Sequence, residues 1–287
     1  MPRNRVAWRT PAILAVILAL LVGGFLFRYE MPRVQLPAEP VLHVGGFAVT
    51  NTILATWLVM LVLVGFFRLA TRQMRLVPGP LQNLAEVLIE AFLGLCISVA
   101  GERNGRRFFS LVTTIFIFVL IANWMGLVPG FGSIGLVEQG EHGAEFVPLL
   151  RGATSDLNTT LALALTSVVA IQVYGMRTLG VGSYLSRFFN FRGGPIGMFV
   201  GLLELISELA KVLSFSFRLF GNIFAGEVLL TVIAFLLPFV AAIPFLGLEL
   251  FVGFVQAFIF SMLTLVFLTM ATIGHGEHHE EAAEHGH

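Results

Sequence analysis

The sequence predicts an all-α polytopic membrane protein, and three observations support this fold class. Only 12% of the 287 residues are charged, whereas soluble domains usually carry about 25%. Hydrophobic residues make up 57% of the chain, and its mean hydropathy is +0.90. Several apolar runs are long enough to cross the roughly 30 Å hydrocarbon core of a bilayer. A soluble enzyme is therefore excluded.

Charge and motif content exclude further classes. The formal net charge is zero, so no overall field attracts nucleic acid, and we expect the lipid bilayer rather than nucleic acid as a partner. Cys96 is the only cysteine and cannot form an internal disulfide. The phosphate-binding pattern GxxxxGK[ST] is absent, so we expect no nucleotide hydrolysis by the chain itself and no cofactor.

The first apolar run, Thr10 to Phe27, follows Arg3, Arg5 and Arg9. By the positive-inside rule, these arginines place the amino terminus in the cytoplasm. A signal peptide would look similar. Because no small-residue cleavage site is evident after Phe27, we favour an uncleaved signal-anchor helix. Residues 1–42 are thus predicted to be an N-terminal extension that contains an extra hydrophobic helix.

The next two apolar runs differ in their flanks. Ala48 to Phe67 ends in a cluster of arginines and is predicted to return the chain to the cytoplasm. Leu81 to Ala100 contains Glu86 and Glu90 and has basic residues on both sides. We therefore expect that it does not cross, and either an interfacial helix or a re-entrant hairpin explains its flanks.

Two further spans enclose an acidic outer loop. Phe108 to Leu127 is predicted to run outward and to stop at Pro129 and Gly130. The loop that follows is acidic, with Arg151 as its one basic residue, which fits an outside location. Leu157 to Met176 is predicted to run back to a second arginine-bearing cytoplasmic loop.

The last two apolar segments are predicted to be long helices. Ile196 to Leu237 contains no proline, and a continuous helix of this length measures about 63 Å. Since this is twice the hydrocarbon thickness, the segment is either a hairpin or a steeply tilted helix, and we favour the tilted helix. After Pro238 and Pro244, Phe245 to Ile273 is predicted to form an inclined pair with it.

The tail is rich in histidine and glutamate and is predicted to be cytoplasmic. Its spacings could bind a divalent metal, but a solvated end is the more ordinary interpretation, and we assign no metal site. The chain is thus divided into residues 1–42, a membrane domain over residues 43–273, and a tail over residues 274–287.

The first long helix carries ionisable residues at membrane depth, where they are costly enough to suggest function. At 100° per residue, Glu204, Glu208, Lys211, Arg218 and Asn222 share one arc of about 80°. Glu204, Glu208 and Lys211 are nearest the helix start. They either snorkel to the interface or pair there, or they line a path for ions. Arg218 lies near the centre and remains charged, so it is the strongest functional candidate.

A second polar face is predicted where the two long helices meet. Glu227 lies on the face opposite Arg218, so the two are expected to serve different partners. Glu249 and Gln256 are seven residues apart and share a face, and Gly253 between them permits close approach of another backbone. We expect this face to pack against Glu227 and to line a hydrated path. The alternative for Glu227 is a buried, hydrogen-bonded acid that serves only packing.

These residues carry a resemblance to a known family. The segment from Ser214 to Glu227, SFSFRLFGNIFAGE, resembles the signature of subunit a of the F-type ATP synthase membrane sector. Four other segments are similar to the family pattern and occur in family order: VPGPLQNLAE (77–86), IANWMGLVPG (121–130), TSDLNTT (154–160) and QAFIF (256–260). The resemblance covers roughly residues 43–272.

The resemblance implies a stator that faces a rotating ring of c subunits across two offset proton half-channels. It also implies the peripheral-stalk b subunits and the rest of the ATP synthase complex as partners, and the bacterial plasma (inner) membrane as location. Arg218 matches the essential arginine opposite the ring carboxylates. The other matched positions belong to the proton path: Ser214, Asn222, Glu227, Glu249 and Gln256, with Asp156 at the outer entrance and Glu204 on the cytoplasmic side.

Two other classes compete with this interpretation. A secondary transporter would use the polar stripe to bind a solute, but no inverted repeat or pair of broken helices is visible. A purely structural anchor for a peripheral assembly is the third class. Copurification with a ring of small two-helix proteins argues against the transporter, and loss of proton flux on changing Arg218 argues against the anchor.

Overall fold

The computed structural model describes residues 38–128, 130–140, 143–188, 194–236 and 242–272, most of which are helical. The helices are α1 (Asn51–Thr71), α2 (Pro80–Gly126), α3 (Leu157–Leu179), α4 (Val181–Leu185), α5 (Gly194–Leu236) and α6 (Ala242–Thr272). All of these except the short α4 are long and apolar enough to cross a membrane. This confirms the predicted fold class. The predicted helix at Thr10 to Phe27 and the tail at 274–287 lie outside the described residues.

Two short antiparallel hairpins interrupt the all-helical pattern. Strand β1 (Pro40–Val44) pairs with β2 (Phe47–Thr50), and β3 (Gly135–Gly140) pairs with β4 (Gly143–Pro148). The sequence analysis did not predict either hairpin. Because β2 takes up the residues just before α1, that helix begins at Asn51 rather than at Ala48.

Helix α2 consists of two arms joined by a sharp bend at Gly101, whose φ of 75° lies in the left-handed region. The first arm folds back along the second. The backbone at Gly105 lies so close to Cys96 that an added Cβ would overlap it. The ring centroids of Phe92 and Phe116 are 4.2 Å apart. The re-entrant hairpin that we considered for Leu81 to Ala100 is therefore wrong, because this stretch is a single helical arm that turns only at Gly101.

The charged stretch between the two predicted runs of α2 is itself helical, so the second arm does not begin at Phe108 as predicted. Glu102 and Arg106 form a helical i,i+4 ion pair of 2.7 Å directly after the bend. Such a pair supports helix formation in a segment that apolar periodicity alone does not mark as helical.

Helix α5 is a single uninterrupted helix of 43 residues, about 65 Å long. This confirms the continuous long helix over a hairpin. Helix α6 has 31 residues and begins at Ala242, not at Phe245 as predicted. Pro244 lies in its first turn, where a proline costs no helical hydrogen bond. Since Asn222 contacts Gln256 and Lys211 contacts Phe267, α6 runs antiparallel along α5.

The hydrophobic core forms where α2, α3, α5 and α6 meet. Phe215 of α5 packs against Phe260 and Phe267 of α6, with ring centroids 5.1 and 5.8 Å apart. Another face of α5 remains exposed and apolar, and Leu213 and Phe217 are each 53% exposed there. The bundle therefore holds one side of α5 and leaves the other free for lipid or another chain.

Candidate functional site

Arg218 lies on the exposed side of α5. Its guanidinium makes no hydrogen bond or ion pair with any residue in the described part of the chain. Neighbouring Leu219 is fully buried, so the helix is anchored from its other face. Because the Arg218 guanidinium has no partner among the described residues, it can form an ion pair with a negative charge on another chain.

One turn further along α5, Asn222 makes the contact to α6. Its Nδ2 donates to Oε1 of Gln256 at 2.8 Å. Gln256 is 2% exposed, and its Nε2 has no hydrogen-bond partner among the described residues. The pair therefore connects the surface that carries Arg218 to the buried amide of Gln256, whose Nε2 is still free to donate a hydrogen bond.

Glu249 and Gln256 are both buried on one face of α6, as the seven-residue spacing predicts. The carboxylate of Glu249 packs directly on Gly226, where an added Cβ would overlap it. This glycine is adjacent to Glu227 on α5. The two long helices thus bring Glu249 to the backbone that carries Glu227, but the side chain of Glu227 points to another partner.

That partner is Arg151, which lies in the loop between α2 and α3. We call this segment the outer loop after its predicted location. Nε of Arg151 donates to Oε1 of Glu227 at 3.1 Å, and Nη2 donates to Oε2 at 3.4 Å. Arg151 is only 9% exposed, whereas Glu227 is 39% exposed. The sequence analysis did not name this partner of Glu227, and the packing of the Glu249 and Gln256 face on α5 is centred on the neighbouring Gly226.

The loop that carries Arg151 descends into the helix bundle. Its 3-10 turn, Ala153–Ser155, contacts α1, α2, α3 and α5. Thr154 is fully buried, and its Oγ1 donates to Oδ1 of Asn123 at 2.7 Å. Nδ2 of Asn123 donates in turn to the carbonyl of Gly253 at 2.9 Å. The network ties the outer loop to α2 and α6.

Asp156 lies directly after this turn and is 7% exposed. Its Oδ1 accepts from the backbone nitrogen of Asn158 at 2.9 Å and caps α3. Its Oδ2 accepts from Oγ1 of Thr52 on α1 at 2.8 Å. Both carboxylate oxygens thus have structural partners at the position predicted for the outer entrance.

The other predicted residues lie toward the start of α5. Ser214 is exposed one turn before Arg218. Glu204 forms an ion pair of 2.6 Å with Arg187, which follows α4. The carboxylate of Glu208 accepts from Nζ of Lys211 at 2.6 Å. The paired state that we considered for the helix start is therefore present.

Within the described residues, the arrangement gives three polar groups around one exposed cation. Asn222 and its partner Gln256 lie one turn after Arg218 along α5. The Arg151–Glu227 pair and the buried Glu249 lie further toward the end of that helix, whereas Glu204 and Glu208 lie toward its start. Carboxylates can accept and release protons, and amides can hold water in a fixed orientation. The geometry suits proton movement on both sides of a fixed positive charge.

Comparison with known proteins shows the class of this chain. A model of the family described as ATP synthase A chain matches residues 53–269, which is most of the chain. The chain belongs to this family. It is 34% identical over 239 residues to ATP synthase subunit a of Moorella thermoacetica, covering 83% of this chain and 98% of that protein.

Other relatives give the same result. ATP synthase subunit a of Syntrophobacter fumaroxidans is 37% identical over 237 residues, covering 81% of this chain and 89% of that protein. The Campylobacter jejuni protein of the same name is 37% identical over 220 residues, covering 75% and 87% respectively. The family membership favours the subunit a interpretation over the transporter and anchor classes.

Proposed function

We propose that this chain is the stator subunit of the F-type ATP synthase membrane sector. In this function it forms two proton half-channels against a ring of c subunits and couples proton flow to ring rotation. The observation that carries the proposal is Arg218, an exposed cation on a continuous apolar helix with no ion-pair partner among the described residues. A permanent charge in such a place needs a partner from outside the chain.

The chemistry follows from that charge. The guanidinium of an arginine carries a permanent positive charge. In a low-dielectric environment, it favours the ionised form of any ring carboxyl that arrives opposite it and so promotes proton release. The same charge repels a proton that would cross directly. A proton must therefore enter on one side, travel with the ring, and leave on the other side.

The outer half of the path is assigned to Glu227, Glu249, Asn222 and Gln256, with Asp156 at its entrance. Support comes from their juxtaposition between α5 and α6, next to the buried loop of Arg151. Glu204, with Ser214 nearer Arg218, is assigned to the other half. The membrane potential supplies about 2.3 kcal/mol per charge per 100 mV to this movement.

The location and partners extend the same proposal. The C-terminus and the start of α5 face the cytoplasm, in accord with the arginines before α5 and the acidic loop that holds residues 130–156. The membrane is the bacterial plasma (inner) membrane. The membrane domain of residues 43–273 contacts the c ring through α5 and is held by the peripheral-stalk b subunits. As a subunit it binds no nucleotide, and the ATP chemistry belongs to the rest of the complex.

Cysteine cross-linking in the assembled complex tests the contact with the ring. The native Cys96 is buried and does not compete for reagent. Phe217→Cys places a thiol on the exposed face beside Arg218, and we expect a cross-link to a ring subunit that carries a cysteine at membrane depth. Leu61→Cys, 70% exposed on α1, is the matched control and should not cross-link to the ring. A cross-link from Leu61 and none from Phe217 would contradict the proposal.

A further inference from the structure

The part of α5 that precedes Arg218 carries a polar residue on every turn. Arg218, Ser214, Lys211, Glu208 and Glu204 follow one another at intervals of three or four residues, so each lies about 5 Å from the next along the axis. Ser214 and Arg218 are exposed, while Glu204 and its partner are partly exposed. Glu208 is buried and lies between these solvent-accessible residues along the helix.

The carboxylate of Glu208 is only half satisfied. The residue is 8% exposed, and its Oε1 accepts from Nζ of Lys211 at 2.6 Å. Its Oε2 is buried and has no hydrogen-bond partner among the described residues. Buried polar atoms in proteins are normally hydrogen-bonded. The open acceptor of this buried carboxylate is therefore available to a proton donor such as water.

Lys211 is fixed by its own environment. Its ammonium lies 4.9 Å from the ring centroid of Phe267 on α6, within the range of a cation–π contact. It therefore has two partners, one on its own helix and one on the neighbouring helix. This holds the cation beside Oε1 and leaves Oε2 as the open side of Glu208.

One titratable neighbour of Glu208 lies on another element, α4. On α4, Tyr184 is 3% exposed and its hydroxyl donates to Oε1 of Gln172 on α3 at 2.8 Å. Burial raises the pKa of Tyr184, and the charge of Glu208 raises it further, while Arg187 acts in the opposite direction. The phenol thus lies within the electrostatic reach of Glu208 and remains a neutral neighbour.

We propose that Glu208 carries protons in the half-channel between Arg218 and the start of α5. The proposal rests on the proposed function and adds a residue to it. A proton released by a ring carboxyl passes through water and forms an O–H bond at Oε2 of Glu208. That bond then breaks as water on the side of Glu204 accepts the proton. Lys211 donates to Oε1 and leaves Oε2 as the oxygen at which the O–H bond forms and breaks.

The test compares variants of the complete complex in vesicles. Glu208→Gln keeps the shape and removes the titratable group. We expect ATP-driven pumping and passive proton flux to fall about tenfold at matched assembly, less than the roughly hundredfold loss typical of a fixed acid–base group because water replaces part of the relay. Glu102→Gln, in the exposed pair with Arg106, is the matched control and should keep the parent rates.

Two further variants separate proton transfer from structural support. Glu208→Asp retains a carboxyl and should recover part of the flux, which a purely structural role does not predict at equal assembly. Glu208→Gln combined with Lys211→Gln leaves no unpaired buried charge, so it assembles even if the single variant does not. Slow flux in this double variant supports the proposal. Parent flux in assembled Glu208→Gln, or in the double variant if only that one assembles, overturns it.

The Arg218→Ala variant separates a failure of the role proposed for Glu208 from a failure of the proposed function. If it abolishes pumping while Glu208→Gln pumps at the parent rate, only the role of Glu208 fails. If pumping persists in Arg218→Ala, the proposed function itself fails, whatever the result at Glu208.

Discussion

Arg151 and Glu227 form an ion pair that joins the buried outer loop to α5. Nε of Arg151 donates to Oε1 of Glu227 at 3.1 Å, and the guanidinium is almost completely buried. The pair fixes the orientation of an acid on the side of Arg218 where we place the outer half-channel. Through this ion pair, the loop that carries Arg151 becomes part of the site.

Arg151→Gln should slow passive proton flux through the reconstituted membrane sector, because Glu227 loses the cation that holds and balances it. A double-mutant cycle with Glu227→Gln measures the coupling. Two groups in direct contact should couple by about 1 kcal/mol or more in the activation free energy of flux. Arg106→Gln, in an exposed ion pair, is the control. Strictly additive effects of Arg151→Gln and Glu227→Gln would show that the pair does not act as a unit.

Gly226→Ala should separate α5 from α6 at the level of Glu249. The added methyl overlaps the Glu249 carboxylate, and overpacking of this kind costs about 1–3 kcal/mol. We expect a lower melting temperature of the detergent-solubilised complex. Gly247→Ala is the control, since open space surrounds that position. Adding Glu249→Ala to Gly226→Ala should recover part of the loss, and no recovery would place the strain elsewhere.

Asn123→Ala should loosen the contact between the outer loop and the two helices. It removes the bonds to Gly253 and Thr154 and leaves buried partners unsatisfied, at about 1–3 kcal/mol for each such group. Thermal unfolding of the solubilised protein measures the effect. Asn158→Ala is the matched control because that side chain is exposed. Equal melting temperatures for the two variants would contradict the assigned network.

Changes at Asp156 can separate its charge from its capping role. Asparagine caps helices about as well as aspartate, whereas alanine costs about 1 kcal/mol. Asp156→Asn should therefore preserve stability and reduce proton flux if the charge serves the entrance, and Asp156→Ala should reduce both. Flux and melting temperature measured on the same preparations decide the question. Parent flux in Asp156→Asn would leave this residue with a structural role alone.

Sequence alone predicted the features that depend on helical periodicity. The absence of proline and loop residues predicted the unbroken α5, and the seven-residue spacing predicted the shared buried face of Glu249 and Gln256. The small residue at Gly253 was predicted to admit another backbone, whereas the nearest atoms there belong to the side chains of Asn123 and Trp124. In each case the signal is local, because an α-helix fixes which residues share a face.

The missed features depend on contacts between distant segments. Arg151 appeared only as the single basic residue of an acidic loop, and nothing in its local sequence shows that the loop enters the bundle to reach Glu227. The two β-hairpins are short, and their alternation is weak. The bend at Gly101 joins two apolar runs whose charged connection looks like a loop but is helical.

The central claim is that Arg218 is the coupling charge, and ATP-driven acidification of vesicles that contain the whole complex tests it most directly. The parent is compared with Arg218→Ala at matched assembly, and Arg177→Ala, an exposed arginine in the last turn of α3, serves as the matched control. We predict that pumping is lost in Arg218→Ala and retained in Arg177→Ala. Normal pumping by intact Arg218→Ala complexes would contradict the account.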